Sequence, residues 1–153
     1  MTWLRHWWPA LLWAVMISFF STGIFSWDNT YRLIVPFLAW LFPNADPEAL
    51  FTSHLLIRKS AHFFEYFLFS LLVLRGIRAG RPGWRWTWGL AALGVAACYA
   101  GLDELHQAFV PTRTASIYDV LLDSTGAAVA QVFSALHARL AGRVSPLEKT
   151  ELS

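Results

Sequence analysis

Four stretches of mostly apolar residues, each about 20 long, restrict this chain more than any other feature, because that length in helical form crosses the hydrocarbon core of a bilayer. They cover approximately residues 7–25, 55–74, 86–105 and 117–136. Hydrocarbon offers no water to satisfy backbone N–H and C=O groups, so such segments fold as helices. The expected class is all-α: an integral membrane bundle of four transmembrane helices. Composition agrees, since 56% of the 153 residues are hydrophobic and 14% charged, against roughly a quarter charged in soluble domains. Nine Trp residues suit the boundary between hydrocarbon and water. A net charge of +2 with scattered basic residues argues against nucleic acid as a partner. Cys98 is the single cysteine, so no internal disulfide forms; its apolar surroundings predict a packed thiol.

Arg5 before the first stretch imitates a secretory signal, but the stretch is too long for one. Ser26, Trp27 and Asp28 follow it in place of a small-x-small cleavage site. The segment is expected to remain as an anchor. Residues 31–42 are apolar but half the spanning length and interrupted by Pro36, which predicts a short interfacial or re-entrant segment between the first two spans. Asp46, Pro47 and Glu48 then supply an N-cap, a first-turn proline and a first-turn acid, so the second long helix begins near Pro47, ahead of its apolar part.

Arg5, the run Arg75, Arg78, Arg81 and Arg85, and the group Arg139, Arg143 and Lys149 share one side of a four-span chain. The positive-inside rule makes that side cytoplasmic, together with both termini. Residues 1–138 form the transmembrane domain and 139–153 a cytoplasmic polar tail. The loop from 26 to 54 and the turn around Pro111 face outward.

Ionisable residues inside such a chain mark function by default, since each is costly in hydrocarbon unless paired or hydrated. On the second span Lys59, His62 and Tyr66 lie on one helical stripe, with Arg58 and Glu65 flanking it. Snorkelling to the interface is the plain explanation for Arg58 and Lys59. It fails for Glu65, which lies about 10 Å deeper than Arg58 by helix rise. On the third span Asp103, His106 and Gln107 are expected on one face and Glu104 on an adjacent one. Pro111 ends that helix, and the turn carries Arg113. Ser116 and Asp119 have the spacing of a capping box, which does not account for Asp123 one turn deeper. Gly126 and Ala130 form a small-xxx-small pair suited to a close helix contact.

His62, Glu65, Asp103 and His106 are thus the candidate acid–base residues, because a carboxylate beside an imidazole can carry a proton at a reacting group. Lys59, Tyr66, Glu104, Gln107, Arg113, Ser116, Asp119 and Asp123 are the candidate ligand-binding residues, with Arg113 matching a phosphate or carboxylate through its planar fork. The bland alternative is an ion-pair network that fixes helix packing. No strong metal signature, glycine-rich phosphate loop or G-x-S-x-G elbow is found. No metal site is assigned, and the sequence names no cofactor.

At these residues the chain resembles the VanZ-like membrane family, named for a protein that contributes to teicoplanin resistance. The likeness runs over Lys59, His62 and Tyr66, then Asp103, Glu104, His106, Gln107, Phe109, Pro111, Arg113, Ser116, Asp119 and Gly126, and covers roughly residues 7–136. Thr112 stands where the family often has Gly, and Asp123 where Asn is common. The resemblance implies a bacterial inner-membrane protein tied to the cell envelope and, for some members, to glycopeptide tolerance; it implies no reaction. The expected partners are membrane lipids and a lipid-linked envelope precursor or amphiphilic glycopeptide. Two functions follow: a binder of such a ligand at the outer leaflet, or a membrane-embedded hydrolase or transferase acting on a lipid-linked phosphate or glycan. A transporter is disfavoured, since no inverted repeat supplies alternating access.

Overall fold

A computed structural model describes residues 2–144, and every regular element among them is helical. The order is α1 (Thr2–Phe20), a 3-10 turn (Gly23–Phe25), α2 (Trp27–Leu41), α3 (Pro47–Arg78), α4 (Trp86–Ala108) and α5 (Ile117–Val144). Residues 145–153, most of the expected tail with Lys149, lie outside the described residues; residues 139–144 continue α5.

Helix α3 starts as its sequence dictates. The Asp46 carboxylate accepts from the Ala49 N–H at 2.6 Å, and Pro47 occupies the first helical position, where its missing N–H costs nothing. Its end is a left-handed Ala79, φ 48°, whose N–H returns to the Arg75 and Gly76 carbonyls. The 32 residues of α3 reach about 48 Å, so the apolar segment 55–74 is its middle portion. Helix α1 stops at Phe20 and not at Phe25. Ser21, Thr22 and Gly23 are poor helix-interior residues, and the Thr22 hydroxyl donates to the Phe19 carbonyl at 2.8 Å. The 3-10 turn then lies against the α4–α5 turn, so close that a Cβ on Gly23 would stand 2.9 Å from Thr112 Oγ1.

The core forms where α3 meets α1, α4 and α5. Tyr66, Phe69 and Val73 of α3 pack on Ala92, Ala96 and Ala100 of α4, on Ala127 of α5, and on Ala10 and Ile17 of α1. Small residues let the helices approach: a Cβ on Gly126 would meet the Phe63 carbonyl oxygen at 2.3 Å. Gln131 of α5 donates to Ser70 Oγ of α3 at 2.7 Å, and Ser70 donates to the Ala127 carbonyl at 3.2 Å. Trp13 of α1 donates to the Glu65 backbone carbonyl at 3.0 Å.

Helix α2 has 15 residues, about 22 Å and short of the hydrocarbon thickness. It folds back along the first turns of α3: Trp27 and Tyr31 ring His54 at 4.5 and 5.3 Å between centroids, while Leu38 lines a cleft with Ala49 and Leu50. Leu33, Phe37 and Trp40 remain exposed. The bundle likewise turns Leu11, Val15, Leu90, Leu102, Phe133 and Leu136 outward. Cys98 is exposed on α4 and is not the packed thiol expected from its neighbours; an all-apolar helix hides which face is inward.

By length and mean hydropathy α3 is the one described helix apolar enough to cross a membrane. The other long helices spend positions on Trp, Gly, Ser and His, which lower that mean. At one end of the bundle stand Arg75 and Arg78, the link with Arg81 and Arg85, the start of α1, whose His6 lies beside Gly80, and Arg139 of α5, which shares a cleft with Arg85. Arg81 and Arg85 lie over the Trp88 ring at 4.7 and 5.3 Å. The ionisable cluster occupies the opposite end.

Candidate functional site

Three helices and two turns build the cluster. The stripe Lys59, His62 on α3 faces α5: Lys59 Nζ pairs with Asp119 Oδ1, and one turn deeper His62 Nδ1 stands 3.5 Å from Asp123 Oδ1. Asp123 is 1% exposed; neither of the two facing atoms has a hydrogen-bond partner among the described residues. The two acids recur four residues apart on α5 and meet basic side chains three apart on α3, which is how neighbouring helices zip along one seam.

Helix α4 contributes support from behind. Asp103 Oδ2 accepts from Ser21 Oγ at 2.7 Å and from Gln107 Nε2 at 3.0 Å, and all three residues are buried. Glu104 is also buried and accepts from the Ser116 backbone N–H. That bond ties α4 to the N-terminus of α5, where the helix dipole favours a carboxylate. Ser116 caps in its own right, its Oγ accepting from the Tyr118 N–H at 3.3 Å.

Arg113 lies in the α4–α5 turn and donates to the Phe20 carbonyl at the end of α1. Its Nε is buried without a hydrogen-bond partner. Burial pulls the guanidinium below its ordinary pKa, while the Asp103, Glu104 and Glu65 carboxylates act in the opposite direction. Arg58 has the same kind of anchorage on the other wall, donating to the Phe25 carbonyl at 3.0 Å and to Thr30 Oγ1 at 2.8 Å, with its guanidinium 5.7 Å from the Trp27 ring. Neither arginine forms a salt bridge with a carboxylate among the described residues. Their donors are thus only partly spent.

Two cavities meet at these groups. One of about 320 Å³ has mainly apolar walls, including Phe20, Phe25, Ile34 and Ile57, and carries Arg58, His62, Glu65 and Arg113. The other, of about 240 Å³, is the more polar of the two: beside Trp27 and Leu55 it is lined by Lys59, Gln107, Thr112, Thr114 and Asp119 together with Arg58, His62 and Arg113. The three shared residues form the partition between an apolar and a polar compartment. The Glu65 carboxylate accepts no hydrogen bond among the described residues, whereas Asp103, Glu104 and Asp119 each accept at least one.

Of the residues singled out from sequence, Lys59, His62, Glu65, Gln107, Arg113 and Asp119 line the cavities. Asp103, Glu104, Ser116 and Asp123 stand behind them as supports. Tyr66 is fully buried in the core with its hydroxyl unpaired, so it backs the cluster and does not line either cavity. His106 departs from expectation. It is exposed beside Leu102 and Leu105, because the inward stripe of α4 runs Ala96, Ala100, Asp103, Glu104 and Gln107. This placement separates it from the acid–base group.

Three contributors escaped the sequence reading. Ser21 holds Asp103; Thr30 receives Arg58 and also contacts His54 Nε2 at 3.2 Å; and Trp27 covers Arg58. Arg58, for which snorkelling was the plain explanation, lines both cavities. The available signal was Ser21-Thr22-Gly23 at the end of an apolar run, which announces a helix stop. No group of three or more His, Cys, Asp or Glu residues among those described is arranged to hold a metal ion.

A family model described as VanZ/LLP1 matches residues 6–137 of the chain. No curated protein and no solved structure matches it.

Proposed function

The chain belongs to the VanZ/LLP1 family, and from that premise we propose that it is a multi-pass protein of the bacterial inner membrane that binds an amphiphile at the outer leaflet. In this reading α1, α3, α4 and α5 cross the bilayer, the arginine-rich end is cytoplasmic with both termini, and the ionisable cluster opens extracytoplasmically. The basic link between α3 and α4 supports that orientation, and the outward Leu, Val and Phe side chains suit contact with acyl chains. The ligand is a lipid-anchored envelope component or an amphiphilic glycopeptide, and its capture contributes to tolerance of teicoplanin-type antibiotics.

One observation carries the proposal: an apolar cavity and a polar one share Arg58, His62 and Arg113 as a common wall. An amphiphile needs such a junction, with its tail against Phe20, Phe25 and Ile57 and its head against the guanidinium donors. A second reading, a membrane-embedded hydrolase or transferase on a lipid-linked phosphate or glycan, is favoured by the His62–Asp123 contact at 3.5 Å, since a carboxylate that orients an imidazole is a general-base arrangement.

Purified protein incubated with envelope lipid extract distinguishes the two by mass spectrometry. Binding predicts unaltered lipid retained by the wild type and lost from Arg113→Ala; catalysis predicts altered lipid that disappears in His62→Ala. Lipid neither retained nor altered would contradict both.

A further inference from the structure

We infer that the headgroup taken by this site is zwitterionic: a phosphodiester oxyanion held between Arg58 and Arg113, with an ammonium held by Glu65. The inference rests on the amphiphile-binding reading and names the chemical class of the ligand.

Which charges are already occupied decides the matter. Asp119 is matched by Lys59 and Asp123 by His62, while Asp103 and Glu104 are satisfied by the neutral donors of Ser21, Gln107 and the Ser116 N–H. Three ionisable groups on the wall of the larger cavity lack a counter-ion bond among the described residues: Arg58, Arg113 and Glu65. Both arginines are fixed in place by backbone carbonyls, Phe25 for one and Phe20 for the other, which orders the side chains before a ligand arrives and leaves them without a direct ion pair among the described residues. A phosphodiester completes the pair of guanidinium groups, whose donors match its oxygens.

A purely anionic head would then bring its charge into a cavity that also holds the Glu65 carboxylate. An ammonium on the same head turns that repulsion into a charge-assisted hydrogen bond. A quaternary ammonium has no N–H to donate, so a primary amine is preferred over a trimethylated one. The volume of about 320 Å³ lies at the lower limit for small-molecule sites and suits a compact aminoalkyl phosphodiester with the start of its tails. The same headgroup chemistry exists free in solution, and Phe20, Phe25, Ile34 and Ile57 argue that the tails belong to the ligand.

Detergent-purified full-length protein is titrated with phosphatidylethanolamine, phosphatidylcholine and phosphatidylglycerol of identical chains, and retained lipid is counted by native mass spectrometry. The ethanolamine lipid should be held about tenfold more tightly than either of the others, the scale of one hydrogen bond to a charged group. Glu65→Gln should abolish its advantage over the glycerol lipid, Glu65→Asp should keep it, and a melting curve on each variant verifies the fold. Equal retention of all three lipids, or an ethanolamine preference that survives Glu65→Gln, would overturn the inference while leaving amphiphile binding in place. If no lipid is retained, the amphiphile reading falls and this one with it. Glycerophosphoethanolamine serves as the soluble arm: displacement of the lipid only at far higher concentration supports a tailed ligand, whereas equal potency makes the ligand a free phosphodiester and overturns the lipid assignment.

Discussion

Asp103 illustrates how one buried carboxylate organises a site without entering it. Its Oδ2 gathers Ser21 from just past the end of α1 and Gln107 from its own helix, so the end of α1 that carries Phe20 is tied to the end of α4. The Phe20 carbonyl in turn receives Arg113. Replacing Asp103 by Ala removes the Ser21 bond that joins the end of α1 to α4 and the Gln107 bond within α4, the first worth about 0.6–2 kcal/mol in a membrane protein. Asp103→Ala should therefore lower the detergent melting temperature and weaken ligand retention together, whereas Lys59→Ala, at a half-exposed pair, should change stability by about 1 kcal/mol at most. Equal destabilisation by both in thermal melts would contradict this division between supporting and cavity-lining residues. At this scale the sequence was informative about residue type and poor about partners. The stripe of Lys59 and His62 could be read from spacing alone, and so could the depth of Asp123. Ser21 could not, because a hydroxyl at a helix end looks like a stop signal whatever it touches. The placement of His106 was misread because spacings of three and four residues admit it to the Asp103 stripe as readily as to the exposed one, and only packing against α3 and α5 selects the face.

Among the elements, the pairing of α3 with α5 sets the geometry of the seam. Gly126 permits it: the space a Cβ would need is occupied by the Phe63 carbonyl oxygen at 2.3 Å, backbone that cannot swing aside as a side chain can. Gly126→Ala should push the helices apart and cost about 1–3 kcal/mol, the range for overpacking a close contact. It should also loosen the Lys59–Asp119 and His62–Asp123 contacts, which lie on the same interface. Gly94→Ala, where nothing lies within 4 Å of an added Cβ, is the matched control and should be neutral or slightly stabilising, since Ala favours helix over Gly. Thermal melts of the two variants test this; similar values would show that the approach at Gly126 does not limit packing. Helix starts were legible wherever chemistry marks them, as with Asp46 and Pro47 before α3. The end of α1 was overestimated by hydrophobicity, which continues through Ile24 and Phe25 after the helix has stopped. The length and apolarity of α2 were evident, but its antiparallel fold onto the first turns of α3 depends on the Trp27, Tyr31 and His54 ring contacts, which no local pattern encodes.

For the molecule as a whole, the distribution of charge assigns two different ends. Arg75, Arg78, Arg81 and Arg85 crowd one, with Trp88 beneath two of them; the other holds the paired and unpaired ions of the site. In a Cys98→Ser background, single cysteines at Asn44 and Gly83 should label from opposite faces of intact inner membrane, Asn44 from outside and Gly83 from inside. Labelling of both from one face would refute the proposed four-span topology. The all-helical class was visible from hydrophobic segments because their length alone requires helices. The closeness of the two cavities was not, since it depends on three-dimensional convergence of α1, α3 and the α4–α5 turn. The account's central claim is that Arg58 and Arg113 join those cavities into one amphiphile site, and native mass spectrometry of protein extracted from its own membrane tests it most directly. The prediction is one phosphate-bearing amphiphile retained per wild-type chain, lost in the double variant Arg58→Ala, Arg113→Ala and kept in Arg139→Ala at the opposite end. Retention that is the same in all three proteins would contradict it.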